Sequence, residues 1–211
     1  MAKSSKSLIL PIDPIIRLEE VINKSWQILF SQITSKRLSI NKESSLQLHL
    51  SKIILDLGIL YCVLPGEQFE IELVANRGNM RIDLICKLGT ASAAIELKCF
   101  RKASNRAKDL DSYDALKDVQ RLQHLEEFDL KKFICLTDND YYPYTEQTGL
   151  GKNVSLKNGK TYPADIDIVP GWANKWKVKR DRPLRFKKSF SCNWDSDSGW
   201  HSLFIDAESA G

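Results

Sequence analysis

Apolar positions in the first sixty residues recur with the period of a helix. Asp13 is a good N-cap residue, and the following Pro14 suits the first helical position. A stripe with a period near 3.6 then predicts a helix whose apolar face is Ile15, Leu18, Ile22, Trp26, Leu29 and Ile33. A second helix is expected from about Ser39–Asn41 to Gly58, where glycine favours a C-terminal stop, with an apolar stripe of Leu46, Leu50, Ile53 and Leu57.

The next stretch changes to short extended segments. Three of them, Phe69–Ala75, Met80–Leu88 and Ser92–Phe100, are separated by Asn-Arg-Gly and by Gly-Thr. Segments of this length joined by such turns are typical of an antiparallel meander. We therefore expect three neighbouring strands.

A helix is expected at about Leu110–Phe128, and the apolar run Lys131–Thr137 predicts a buried strand. Residues 138–163 lack periodicity, and short apolar pieces beyond them indicate further strands. The order predicts an α/β fold, at the borderline of α+β, with a mixed central β-sheet flanked by helices. We expect one domain, 1–211, with a core at about 12–140 and a basic, β-rich C-terminal extension at about 141–211.

Composition fits a cytoplasmic protein. Of 211 residues, 43% are hydrophobic and 27% charged, close to the average for globular domains. No apolar run approaches the roughly 20 residues that span a bilayer, so no membrane contact is expected. The five cysteines are odd in number and lack Cys-x-x-Cys spacing, as in a reducing compartment.

Positive charge is concentrated near the C-terminus. Net charge is +4, yet Lys175–Lys188 holds eight basic residues and one acid. Such a stripe suggests a polyanion partner, whereas a strand edge protected by lysines is an equally good interpretation. Interleaved aromatic residues could stack on bases or lie in the core; they are Trp172, Trp176 and Phe186.

Three charges lie among apolar residues in Ile82–Phe100. If Gly89-Thr90 forms a two-residue turn, Leu88 faces Ala91 and the same register places Asp83 directly opposite Glu96. Lys98 shares the face of Glu96 because side chains alternate along a strand. The register also places Arg81 opposite Lys98.

Opposed carboxylates repel each other, and a divalent cation would compensate. Asp83 and Glu96 are therefore candidate ligands of Mg²⁺, with Mn²⁺ as a substitute, and Lys98 is a candidate partner of a metal-bound water or a scissile phosphate. A solvated strand face also alternates acids and bases. The flanking apolar residues favour a site over that interpretation.

Ile82-Asp83, a twelve-residue spacer and Glu96-Leu97-Lys98 resemble the motif of the PD-(D/E)XK nuclease superfamily, which has the restriction-endonuclease-like fold. Ile82 stands where the family often has proline. The sequences LKDVQRLQHL and FICLTDND resemble a bacterial defence-associated branch in which a D-x-x-R-L helix precedes a strand. The resemblance covers roughly Glu43–Asp140.

This resemblance implies a Mg²⁺-dependent nuclease that hydrolyses phosphodiester bonds, with DNA as the expected substrate, in a defence or restriction context. It implies catalytic roles for Asp83, Glu96 and Lys98, and a further metal ligand from a preceding helix, for which Glu43 is the candidate. Glu43 is also an ordinary first-turn glutamate favoured by the helix dipole. A double-strand cutter of this size would need two copies, so a homodimer is expected.

Nucleic acid is the expected partner, and its candidate contacts are Arg81, Lys177, Lys179, Arg180, Arg182, Arg185 and Lys187. A non-catalytic nucleic-acid-binding or regulatory module with the same fold is the alternative function. An enzyme acting on another phosphorylated substrate is a third. Asp118 and Arg121 lie one helical step apart, and we expect a structural surface pair. The three histidines lack zinc spacing, and we expect structural roles for His49, His124 and His201.

Overall fold

The first seven helices and strands follow the predicted order, α-α-β-β-β-α-β. The structure is a computed structural model that describes residues 10–77, 80–104, 107–172, 180 and 182–208. Its first seven elements are α1 Pro14–Thr34, α2 Glu43–Leu60, β1 Phe69–Arg77, β2 Met80–Leu88, β3 Ala91–Phe100, α3 Lys108–Gln123 and β4 Leu130–Thr137. The C-terminal elements are α4 Tyr141–Tyr144, a 3-10 helix Gly149–Val154, β5 Lys160–Tyr162, β6 Asp167–Ile168, β7 Leu184–Arg185, β8 Phe190–Cys192, β9 Trp194–Asp197 and β10 Trp200–Asp206.

The start of α1 follows the sequence closely. The Asp13 carboxylate accepts a hydrogen bond from the Ile15 amide at 2.8 Å, and Pro14 opens the helix. The predicted stripe is buried from Leu18 to Ile33. Ile15 is an exception, since 37% of it is exposed; it lies in the first turn, before α1 reaches the core.

Gly58 does not end the second helix. It is a buried residue inside α2, which continues to Leu60. A Cβ atom at this position would lie 2.5 Å from ring carbons of Phe69 in β1. The glycine is therefore explained by close packing of the helix on the strand, and the predicted helix stop is wrong.

We expect Gly58→Ala to destabilise the protein by about 1–2 kcal/mol, since overpacking outweighs the better helix propensity of alanine. Urea unfolding measures the change. In the double variant Gly58→Ala/Phe69→Ala, the alanine at position 58 should no longer destabilise relative to Phe69→Ala alone. An equal loss in both backgrounds would contradict the packing explanation.

One six-stranded sheet organises the chain, in the order β1-β2-β3-β4-β10-β9. β3 and β4 are parallel and the other neighbours are antiparallel. The fold is thus a mixed α/β arrangement, and the predicted meander of β1, β2 and β3 is confirmed. Two strands of the C-terminal part, β9 and β10, complete this sheet.

Helices cover both faces of the sheet. One buried cluster joins α1 and α2 to apolar residues such as Leu84, Ile95 and Leu97. The other joins α3 to residues such as Ala94 and Phe133. In β3 the even-numbered residue Ala94 packs on the α3 side and Leu97 on the α1–α2 side, so alternation directs Glu96 and Lys98 toward α3.

The C-terminal segment packs along the outer side of α3. Tyr113 donates to the Arg182 carbonyl at 2.9 Å and Gln120 to the Arg185 carbonyl at 3.1 Å. Trp172 and Phe186 are buried in the same cluster as α3. Base stacking by these two rings is therefore excluded in this arrangement, and their core interpretation is correct; Trp176 lies outside the described residues.

None of the helices that the structure describes is long and apolar enough to cross a membrane. All five cysteines are free thiols, and Cys86, Cys135 and Cys192 are buried. Burial raises the pKa of the Cys86 thiol, as expected for a small apolar core residue.

Candidate active site

The β2–β3 hairpin has the predicted register, but its regular pairing ends next to Asp83. Leu88 pairs with Ala91 and Leu84 with Ile95. Beyond that point the Asp83 carboxylate accepts a hydrogen bond from the Leu97 amide at 2.9 Å, through Oδ2. Asp83 is thus not paired directly opposite Glu96, and Arg81 is not paired opposite Lys98, although the sequence predicts both pairings. Instead, the Asp83 side chain connects the two strands.

The backbone is irregular on the other side of Asp83 as well. Pairing between β1 and β2 includes Leu73–Leu84 and Ala75–Ile82 but omits Val74 and Asp83. Val74 has a φ of 57°, which is unusual for a β-branched residue. Gln47 of α2 donates to the Asp83 carbonyl at 2.5 Å. A helix side chain therefore satisfies a backbone group that the sheet leaves unpaired.

A cavity of about 350 Å³ opens beside this irregularity. It is lined almost entirely by charged side chains from α2, β2, β3 and α3. They are Glu43, Arg81, Asp83, Glu96, Lys98, Asp114, Lys117, Asp118 and Arg121, together with Phe100. The structure thus brings the predicted site residues Glu43, Arg81, Asp83, Glu96 and Lys98 to one place.

Ion pairs connect β3 to α3 across the cavity. Arg121 Nη2 lies 2.6 Å from Glu96 Oε1 and 3.1 Å from Asp118 Oδ1. Lys98 Nζ lies 2.6 Å from Asp118 Oδ2. The Asp118 carboxylate therefore contacts both Lys98 and Arg121, and these contacts fix the positions of the two basic side chains in the cavity.

Burial and neighbouring acids change the proton affinity of Glu96. Burial, the carboxylate of Asp118 and that of Asp83 raise the pKa of Glu96 to about 8, against the attraction of Arg121 and Lys98. In this metal-free arrangement, Glu96 holds a proton more tightly than an ordinary glutamate. A divalent cation at Glu96 would have to displace that proton.

Lys98 keeps its charge. Burial disfavours the ammonium, but the carboxylates of Asp118 and Glu43 outweigh it and raise the pKa of Lys98 above its ordinary value. Lys98 is consequently a hydrogen-bond donor and a fixed positive charge at neutral pH, and it is unsuited to act as a general base.

Asp118 and Arg121 were expected to form a surface pair, and that expectation is wrong. Only 9% of the Asp118 side chain is exposed, and both residues contact side chains of the predicted motif. The apolar face of α3, including Tyr113, Leu116 and Val119, is buried as expected. The i, i+3 spacing alone could not reveal that the polar face of α3 lies over the motif.

Glu43 opens α2 at the margin of the cavity. Its Oε2 lies 4.0 Å from Lys98 Nζ, and 44% of the side chain is exposed. Gln47 follows one turn later and reaches Asp83. The first two turns of α2 therefore contribute to the site, and Gln47 is a residue that sequence reasoning missed because glutamine carries no charge signal.

The donor set can accommodate a hard divalent cation. Asp83 Oδ1 and Glu96 Oε2 make no hydrogen bond with the part of the chain that the structure describes, so each carboxylate keeps one oxygen for a ligand. In the same described part, no group of three or more His, Cys, Asp or Glu side chains is arranged to hold a metal ion. Two carboxylates, with water in the remaining positions, are enough to hold Mg²⁺.

The basic residues proposed to contact nucleic acid divide into three groups. Arg81 and Arg182 are exposed. Three others form ion pairs with acidic side chains. Arg180 lies 2.6 Å from Asp114, Lys187 lies 3.0 Å from Glu126, and Arg185 lies 3.8 Å from Asp165. Lys177 and Lys179 lie outside the described residues. The Arg180–Asp114 pair places the C-terminal segment at the edge of the cavity.

His201 belongs to a hydrogen-bonded chain rather than standing alone. Its Nε2 is 2.9 Å from Asp140 Oδ1 and its Nδ1 is 2.8 Å from Ser196 Oγ. Asp140 is 71% exposed, unlike the buried acid that orients histidine in serine hydrolases. The chain connects the β9–β10 hairpin to the turn after β4, which is a structural role.

Comparisons of the chain with protein-family models, with curated proteins and with solved structures gave no match.

Proposed function

We propose that the protein is a Mg²⁺-dependent nuclease of the PD-(D/E)XK type, with a restriction-endonuclease-like fold, that hydrolyses phosphodiester bonds in DNA. One observation carries the proposal: Asp83, Glu96 and Lys98 line a single cavity in which α3 adds Asp118 and Arg121. The motif resemblance gives these residues their roles. The defence or restriction context rests on that resemblance alone.

Asp83 and Glu96 would hold the cation, with Glu43 at the margin as a candidate third ligand. A bound Mg²⁺ ion would lower the pKa of its water and neutralise charge on the phosphoryl group. Lys98 donates hydrogen bonds toward the attacking water or the phosphate and stabilises developing negative charge. Asp118 keeps Lys98 in place through its 2.6 Å contact, so it acts as a positioning residue.

Substrate binding would use the cations at the rim of the cavity. Arg81 and Lys117 are exposed there and form no ion pair with the residues that the structure describes. Such side chains can contact the phosphates that flank the scissile bond. A homodimer would allow both strands of a duplex to be cut.

A non-catalytic nucleic-acid-binding module is the alternative. It is favoured by the contact in which Arg121 already occupies Glu96. The nuclease needs an affinity for Mn²⁺ that disappears in Glu96→Ala, whereas a binding module needs no such affinity. Isothermal titration calorimetry with Mn²⁺ separates the two functions.

Incubation of purified protein with supercoiled plasmid tests the proposed function. We expect cleavage with Mg²⁺ and intact plasmid in EDTA, because water activation and charge neutralisation require the cation. Early accumulation of nicked circles would indicate a single active site, and direct linearisation would indicate two acting together. Intact plasmid and intact single-stranded DNA with both Mg²⁺ and Mn²⁺ would contradict a nuclease.

A further inference from the structure

Arg121 takes the position of a counter-ion in the cavity. A single guanidinium nitrogen, Nη2, lies 2.6 Å from Glu96 and 3.1 Å from Asp118. Glu96 makes no other hydrogen bond through its side chain within the described part of the chain. The positive charge of Arg121 therefore lies beside the Glu96 carboxyl group, where a bound metal cation would also place its positive charge.

The same side chain is incompletely satisfied. Arg121 Nε is buried and has no hydrogen-bond partner among the described residues. A buried donor without an acceptor is unfavourable, so the two acids rather than full hydrogen bonding hold the guanidinium in place. About a third of the side chain, 33%, remains exposed to the cavity. Because its hydrogen bonding is incomplete and its side chain is partly exposed, Arg121 can be displaced from Glu96.

We propose that Arg121 occupies Glu96 in the metal-free protein, is displaced when a divalent cation binds, and then binds a phosphate oxygen of the substrate. This inference rests on the proposed function. Guanidinium groups match the geometry of phosphate oxygens, and Arg81 and Lys117 line the same cavity. One arginine would thereby couple occupation of the cation site to recognition of the scissile phosphate.

Metal affinity in the absence of nucleic acid tests the displacement step. We expect the metal-free Arg121→Gln variant to bind Mn²⁺ about tenfold more tightly than the wild type in calorimetry, since the positive charge of Arg121 beside Glu96 no longer opposes a second cation there. Lys117→Gln is the matched control: it removes a cavity cation that makes no ion pair with Glu96 or Asp118. Lys117→Gln should tighten Mn²⁺ binding much less.

DNA binding tests the second step and should change in the opposite direction. With Ca²⁺, which also takes oxygen ligands, we expect Arg121→Gln to bind a fluorescent duplex about tenfold more weakly than the wild type. A purely structural arginine would change both affinities in the same direction or neither. Arg121→Lys, which keeps a charge but lacks the planar fork, is the second variant and should show smaller changes of the same signs.

The results of these experiments separate the displacement step, the phosphate contact and the nuclease proposal from one another. Equal Mn²⁺ affinities for Arg121→Gln and Lys117→Gln would overturn the displacement step, and unchanged DNA binding by Arg121→Gln would overturn the phosphate contact. If neither the wild type nor Arg121→Gln binds Mn²⁺, both the inference and the cation site at Asp83 and Glu96 are wrong. If Arg121→Gln shows the expected changes but the wild type cleaves nothing, the inference holds and the nuclease proposal fails.

Discussion

Replacing Asp83 by asparagine is expected to lower Mg²⁺-dependent cleavage about 1,000-fold or more while leaving the protein folded. The change removes one of the two carboxylates proposed to hold the cation, and with it several kcal/mol of transition-state stabilisation. Asparagine keeps an oxygen that can accept the hydrogen bond from Leu97, which Asp83 Oδ2 accepts at 2.9 Å. The strand bridge therefore survives the loss of charge.

The measurement is the initial rate of plasmid cleavage at saturating Mg²⁺, with thermal unfolding in EDTA as the folding check. Asp56→Asn is the control, because Asp56 is exposed on α2 and does not line the cavity. We expect Asp56→Asn to cleave like the wild type. Cleavage by Asp83→Asn at a rate near that of the wild type would show that Asp83 is not a ligand of the cation.

Local sequence signals predicted the central hairpin because its determinants are themselves local. The turn at Gly89-Thr90 sets the pairing of Leu88 with Ala91, and alternation then determines which residues of β3 face α3. The same signals predicted α1 from its cap and stripe. These local signals alone place Asp83, Glu96 and Lys98 near each other.

The remaining part of the site depends on packing that no local signal encodes. Asp118 and Arg121 reach the motif only because α3 crosses from β3 to β4 and lies over that face of the sheet. Gln47 reaches Asp83 because the strand pairing is interrupted there. Gly58 was misinterpreted for the same reason, since the constraint on it comes from Phe69 in another element.

The electrostatic state of Glu96 also makes the folded protein sensitive to pH. Asp83 from β2, Asp118 and Arg121 from α3 and Lys98 from β3 face its carboxyl group, and burial with the two acids raises the pKa of Glu96 to about 8 from an ordinary 4.5. The folded state therefore holds this proton where the unfolded state has released it. The resulting stabilisation is fully present below about pH 4.5 and is lost as pH rises through 8.

Glu96→Gln should consequently be more stable than the wild type at pH 9 in EDTA, by about 2–4 kcal/mol relative to the difference between them at pH 5. Glutamine fills a similar volume and cannot ionise. Urea unfolding at the two pH values measures the change, and Glu127→Gln, which removes an exposed carboxylate outside the cavity, is the matched control. A stability difference between Glu96→Gln and the wild type that is equal at pH 5 and pH 9 would contradict the raised pKa.

Added Mg²⁺ at pH 9 should stabilise the wild type, because a ligand that binds only the folded state stabilises it. It should leave Glu96→Gln unchanged, because the proposed cation site is incomplete in that variant.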